Sequence, residues 1–195
     1  MCRFKFQVVG AIVFLIVAGL LLSGSALAFG SGKSDEEKAA ENKQEAVKKY
    51  NEGLEHMQAA KATAAAGDSA FAYNYRATSD AKARKSFEKA ASKFRDAVKR
   101  DPSLKEAFNN LGYSYRKLGK LEESLAAYGS ALALDSNFAQ AREYLGETYL
   151  ALGKPDQAEV QRDWLAGRES PYADTLAIAI KLYQLQAINE KMNGK

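Results

Sequence analysis

Few residues in this 195-residue chain are suited to covalent or acid–base chemistry, and their numbers decide what kind is open. There is one cysteine, Cys2, and one histidine, His56. A single thiol excludes an internal disulfide, a dithiol redox pair and a cysteine-rich zinc site. A single imidazole leaves no two-histidine metal or catalytic centre. Catalysis needs nucleophilic or titratable groups held in one constellation, and no H-E-x-x-H, G-x-S-x-G or G-x-G-x-x-G run occurs. Gly32-Lys33-Ser34 imitates the end of a phosphate-binding loop, but the first glycine of that pattern falls on Leu27. No strand precedes it, and Asp35-Glu36-Glu37 follows where phosphate would be repelled. His56 reads as a packed or surface side chain of a long helix. The expectation is a protein that is not an enzyme and uses no cofactor or metal.

What remains is recognition. Residues 82–100 hold eight basic and two acidic side chains. At helical spacing Lys85, Lys89, Lys93 and Arg100 share one face, away from Phe87, Ala90, Phe94 and Ala97. Such a face suits an anionic membrane or envelope polymer. It also serves simply as a solvated convex surface, balanced by the acidic residues between 35 and 55. A net charge of +4 over the whole chain gives no ground for a nucleic-acid partner.

The elements that position these residues are helical. Alanine supplies 35 residues and proline only three, so the best helix former is abundant and the strongest breaker scarce. With 47% hydrophobic and 27% charged residues the chain has the composition of a folded protein. Its length allows one ordinary domain and a short extra segment. That segment is N-terminal. Arg3 and Lys5 precede the apolar run Val8–Leu22, and Ala26 and Ala28 supply small residues at the −3 and −1 positions of a secretory cleavage site. Residues 1–28 therefore read as a signal peptide cut before Phe29. The alternative is an uncleaved inner-membrane anchor, because the uncharged stretch 7–32 is long enough to span a bilayer. Either way the basic N-terminus keeps its own side cytoplasmic and the rest is exported, to the periplasm or to the outer face of the membrane. Residues 29–36 are a linker.

Offsetting the chain against itself by 34 residues gives its strongest internal signal. Ala107, Leu111, Gly112, Tyr115, Leu118, Gly119 and Lys120 align with Ala141, Leu145, Gly146, Tyr149, Leu152, Gly153 and Lys154. Each unit reads as two antiparallel helices. Phe108, Leu111, Tyr115 and Leu118 form one apolar face, and Gly112 admits a close neighbour. Gly119 stands where a left-handed C-terminal residue is expected. Leu121, Ser124, Leu125, Tyr128, Ala131 and Leu132 then form the buried face of the second helix. Pro102, Pro155 and Pro171 punctuate helices.

With this pattern the sequence resembles the tetratricopeptide repeat family, specifically over residues 85–166. The resemblance implies an all-α, helix-turn-helix solenoid. Residues 105–138 form one repeat. Residues 139–172 form a second, with Arg142 and Arg162 where aromatics belong and Trp164 and Leu165 as substitutes. Residues 37–104 form a split repeat with an insertion near 59–84, in a register that places Val47, Tyr50, Leu54 and Met57 on the core face in preference to one built on Gly53. Residues 173–195 supply a capping helix, with Leu176, Ala179, Ile180, Tyr183 and Ala187 on its inner stripe, and a tail. The family's concave groove then implies partner contacts from Asn109, Asn110, Tyr113, Arg116, Lys117, Gln140, Glu143 and Glu147. The implied role is a non-enzymatic scaffold of the cell envelope that binds a protein or peptide. The family's chaperone-tail carboxylate clamp would need Lys and Asn at two places of its first repeat; these are Lys48 and Glu52 in that register, so that ligand class is unsupported.

Overall fold

The computed structural model describes residues 33–67 and 77–194, and residues 1–28, expected to be a signal or anchor, lie outside them. Among the described residues every regular element is a helix, and no helix is long and apolar enough to cross a membrane. The order is α1 Asp35–Gly67, α2 Ala81–Arg100, α3 Lys105–Lys117, α4 Leu121–Leu134, α5 Ala139–Ala151, α6 Pro155–Ala166 and α7 Tyr172–Met192.

Local sequence sets the ends. Ser34 caps α1, its Oγ accepting from the Glu37 amide at 3.1 Å while the Glu37 carboxylate accepts from the Ser34 amide at 2.9 Å. The serine of the false phosphate loop is thus a reciprocal helix cap, with a carboxylate on the amide that a phosphate would need. Asp80 caps α2 through a 2.6 Å bond from the Ala83 amide. α3 and α5 both stop on glycines with positive φ, 77° at Gly119 and 70° at Gly153. At each, the next amide reaches back to a tyrosine carbonyl, Lys120 to Tyr115 and Lys154 to Tyr149, both at 2.9 Å. That shared geometry reverses the chain by the same amount twice, which is why the 34-residue period becomes a stack.

Glycines without a Cβ fix how the helices meet. A Cβ on Gly112 would lie 2.8 Å from the fully buried ring of Tyr128 on α4. A Cβ on Gly53 would lie 2.6 Å from the ring of Phe94 on α2. Since Phe94 and Tyr128 are themselves 34 residues apart, Gly53 occupies the place in α1 that Gly112 holds in α3. The register built on Val47, Tyr50, Leu54 and Met57 is therefore corrected. Val47 is half exposed and Gly53 is the residue at the helix crossing, while Met57 is buried and Tyr50 and Leu54 do pack on the same core. The carboxylate that argued against this register, Glu52, is paired with Lys93 of α2 and with Lys49. Those two ammonium groups hold its pKa down to about 2. A charge at a core-like position is tolerated because two cations meet it at a partly exposed rim.

In the last repeat the same slot is filled differently. The residue that follows Gly146 at the spacing of Tyr128 from Gly112 is Arg162, which cannot fill an apolar slot. Leu176 of α7 enters instead, its Cδ2 standing 2.5 Å from where a Gly146 Cβ would be. Leu176, Ala179 and Ile180 are buried with Leu150, Ala158 and Leu165, so α7 closes the end of the stack. Trp164 also replaces a missing aromatic. Arg142 and Arg168 lie over its ring at 3.8 and 3.7 Å, so a cation–π contact stands where ring packing is absent.

The slots differ in how far they can yield. Tyr128 and Phe94 present rigid, fully buried rings, whereas Leu176 presents the end of a rotatable side chain. Gly112→Ala should cost about 1–3 kcal/mol, the usual range for overpacking, and Gly112→Phe should abolish cooperative unfolding. Gly146→Ala should cost less than Gly112→Ala. Thermal melts followed by far-ultraviolet circular dichroism check this ordering.

Candidate protein-binding surface

α3 and α5 lie side by side, Gly112 of α3 against Tyr128 of α4 and Gly146 of α5 against Leu176 of α7, and their remaining faces meet each other. Tyr113 and Tyr144 pack with ring centroids 5.3 Å apart and planes tilted by 52°, and Tyr113 also packs on Phe87 of α2 at 6.0 Å. Arg116 of α3 is wholly buried and pairs with Glu147 of α5, itself 2% exposed, at 2.5 Å. The guanidinium lies over both tyrosine rings, at 5.2 and 5.7 Å. Burial alone would lower its pKa; the Glu147 carboxylate together with the Tyr128 and Tyr113 hydroxyls more than offsets that, so the arginine stays charged.

Glu143, one turn before Glu147, brings a second carboxylate to the same cation. It is buried, and burial followed by repulsion from Glu147 raises its pKa to about 7, against a smaller pull from Arg116. Burial likewise pushes the Tyr113 hydroxyl up to about 12 and those of Tyr128 and Tyr144 higher still. The phenols are therefore neutral, and the cluster holds one guanidinium against two carboxyl groups.

Amides extend this network. Asn109 donates to Gln140 Oε1 at 3.3 Å, and Gln140 donates to the Tyr144 hydroxyl at 3.4 Å. Asn110 donates to the Tyr50 hydroxyl of α1 at 3.2 Å. Lys61, further along α1, stands 4.4 Å over the Tyr113 ring.

Residues 112–153, from the middle of α3 through the turn after α5, match the family model described as TPR repeat. Over those residues the chain is similar to a tetratricopeptide repeat. Repeats of this type act in protein–protein interaction and are generally not catalytic. None of the curated proteins compared with the chain matches it.

The eight residues named for the groove, six of them inside the matched stretch and Asn109 and Asn110 just before it, come together on one α3–α5 seam. Their accessibility differs from the expectation. Asn109, Tyr113, Arg116, Glu143 and Glu147 are buried, while Asn110, Lys117 and Gln140 are half-buried. The physical reason is that first helices of successive repeats pack on one another, and α1 runs on as helix to Gly67 and lays Lys61 over Tyr113. The buried five hold the joint between repeats, and the half-buried three are its rim. Sequence reasoning missed Tyr50 and Lys61; the register anchored on Gly53 was the signal that places Tyr50 beside α3. Beyond the rim, where α7 passes the ends of α3 and α5, lies a cavity of about 350 Å³. Its lining includes Ala77, Gly119, Leu150, Gly153, Tyr183 and Ala187, and none of the eight. On α2, Lys85, Lys89 and Arg100 are exposed, and Lys93 is engaged by Glu52.

Removing Arg116 alone strands buried carboxyl groups. Arg116→Met should cost about 3–5 kcal/mol, and the double change Arg116→Met with Glu147→Leu should recover most of it. Urea denaturation of the four chains in that cycle measures both.

Glu143 also gives stability a pH dependence. Its folded pKa of about 7 lies above the ordinary 4.5, so the folded chain binds more protons between those values. Stability therefore falls as pH rises from about 4.5 to 7 and is level beyond. Glu143→Gln should flatten that slope, stabilising by on the order of 2 kcal/mol at pH 8 and leaving stability unchanged at pH 4. Glu52, whose pKa is depressed, acts in a separate window, its contribution being lost as pH falls from 4.5 toward 2.

Proposed function

We propose that this chain is an exported, non-enzymatic scaffold of the cell envelope. It holds a protein or peptide partner along the rim of the α3–α5 seam, and residues 1–28 either direct its export or anchor it. The observation that carries this reading is the seam itself. A buried ion pair and a tilted tyrosine pair hold two repeats in one fixed relation, so the rim groups Asn110, Lys117 and Gln140 are presented on a rigid edge. Amide side chains suit the backbone of an extended peptide, which offers alternating donors and acceptors. The adjoining cavity, with small residues around Tyr183, has the volume for an apolar side chain of the same partner.

The second reading, an anionic surface met by α2, draws on Lys85, Lys89 and Arg100. It is weaker because Lys93, the centre of that face, already serves Glu52.

Truncating Asn109, Asn110 and Tyr113 together would confuse recognition with packing, because two of the three are buried. A photo-reactive residue introduced singly at Asn110, Gln140, Lys85 or Lys89 separates the readings. Adducts to a discrete protein should form from positions 110 and 140 and not from 85 and 89. Adducts from the lysine positions alone, or capture that falls steeply between 0.1 and 1 M salt as charge screening tightens, would favour the basic helix instead. A reporter that is active only outside the cytoplasm, fused after Lys195, checks export.

A further inference from the structure

One face of α7 packs into the stack, and among the described residues the opposite face carries a row of exposed apolar side chains. Ile178, Leu185 and Ile188 are each about half exposed, at 53%, 51% and 52%, and Met192 is 74% exposed. Half-buried Leu182 completes the row. At the helical repeat these five fall within about 120° of arc, directly opposite the buried Leu176, Ala179 and Ile180.

The row has an internal symmetry. Leu182 and Ile188 stand three residues either side of Leu185, and Ile178 and Met192 stand seven either side. Two polar residues interrupt the row, Lys181 and Asn189, and they stand four residues either side. A row symmetric about its middle residue matches a copy of itself turned end for end. A two-fold axis at Leu185 sets Ile178 against the partner's Met192 and Leu182 against the partner's Ile188. It also sets the Lys181 ammonium against the partner's Asn189 side-chain oxygen, with the partner's Glu190 next along the helix. The Asn189 oxygen already accepts from Asn193 at 2.9 Å and has a second lone pair available. Parallel pairing would instead bring Lys181 against Lys181, a like-charge contact.

We propose that the chain forms a two-fold symmetric dimer through antiparallel pairing of α7 centred on Leu185. The matching surface is self-complementary, as a two-fold interface must be. It is also small, one helix on one helix, below the ~1,200–2,000 Å² of standard stable interfaces. The dimer therefore dissociates in the micromolar range and assembles at high local concentration.

The test uses the full chain with Cys2→Ser as background. Leu185→Cys places a thiol on the axis, and copper phenanthroline as oxidant should convert most of the protein to a disulfide-linked dimer. Ile178→Cys or Met192→Cys alone should not cross-link, since the two positions lie about 21 Å apart along the helix; co-expressed, they should. In sedimentation, Leu185→Glu with Ile188→Glu should raise the dimer dissociation constant at least tenfold with helicity unchanged. No dimer from Leu185→Cys overturns the proposal, as does self cross-linking of Ile178→Cys at equal yield, which signals parallel or random encounter. Cross-linking of Leu185→Cys to a different protein, or to a restored Cys2, also overturns it by showing another occupant on the row.

Discussion

Close approach of helices at glycine is the constraint on which the rest of this structure depends. Gly53, Gly112 and Gly146 each leave a slot that a large side chain from another helix must fill, because an empty slot forfeits both apolar burial and dispersion contacts. Phe94 and Tyr128 fill two of them from the second helix of the same pair. The third is filled from further along the chain by Leu176, since Arg162 cannot. This one exception explains the end of the molecule. α7 is drawn onto α5 by an unfilled slot, and the stack closes there.

Once the slots fix the crossings, the outward faces of α3 and α5 are brought against each other, and their polar groups must find partners in the seam. Ser124 illustrates the economy of this packing. Its small side chain lets α4 approach, and its hydroxyl joins the Gly112 carbonyl at 2.9 Å and the Thr148 hydroxyl at 3.2 Å. Arg116 and Glu147 illustrate its cost. A buried ion pair offsets a large desolvation penalty only where both members keep their geometry. The joint between repeats is therefore stiff and intolerant of single truncations. Its excess carboxyl, Glu143, makes it sensitive to pH near neutrality, and two rim amides lie directly on it.

With a single cysteine the chain closes no internal disulfide, so the fold is held by packing alone, which gives the glycine slots and the α7 cap their weight. The outer row of α7 would then be the place where apolar surface is left for association rather than for folding.

The sequence by itself determined the helices, their caps and the 34-residue period, because these follow from side-chain spacing and from the local chemistry of Gly119, Gly153 and Pro155. It also brought the eight groove residues to one surface, through the resemblance those spacings carry. Tertiary structure decided the register of α1, since the long connection to α2 breaks the period and only contact with Phe94 selects Gly53. It decided that Asn109, Tyr113, Arg116, Glu143 and Glu147 are buried, since exposure depends on what packs from elsewhere in the chain. The inner stripe of α7 was legible in its spacing, but that Leu176 fills the Gly146 slot was decided by the fold, because Arg162 leaves that slot open. Periodicity marks where apolar residues lie on an element, but the partner that covers them is chosen in three dimensions.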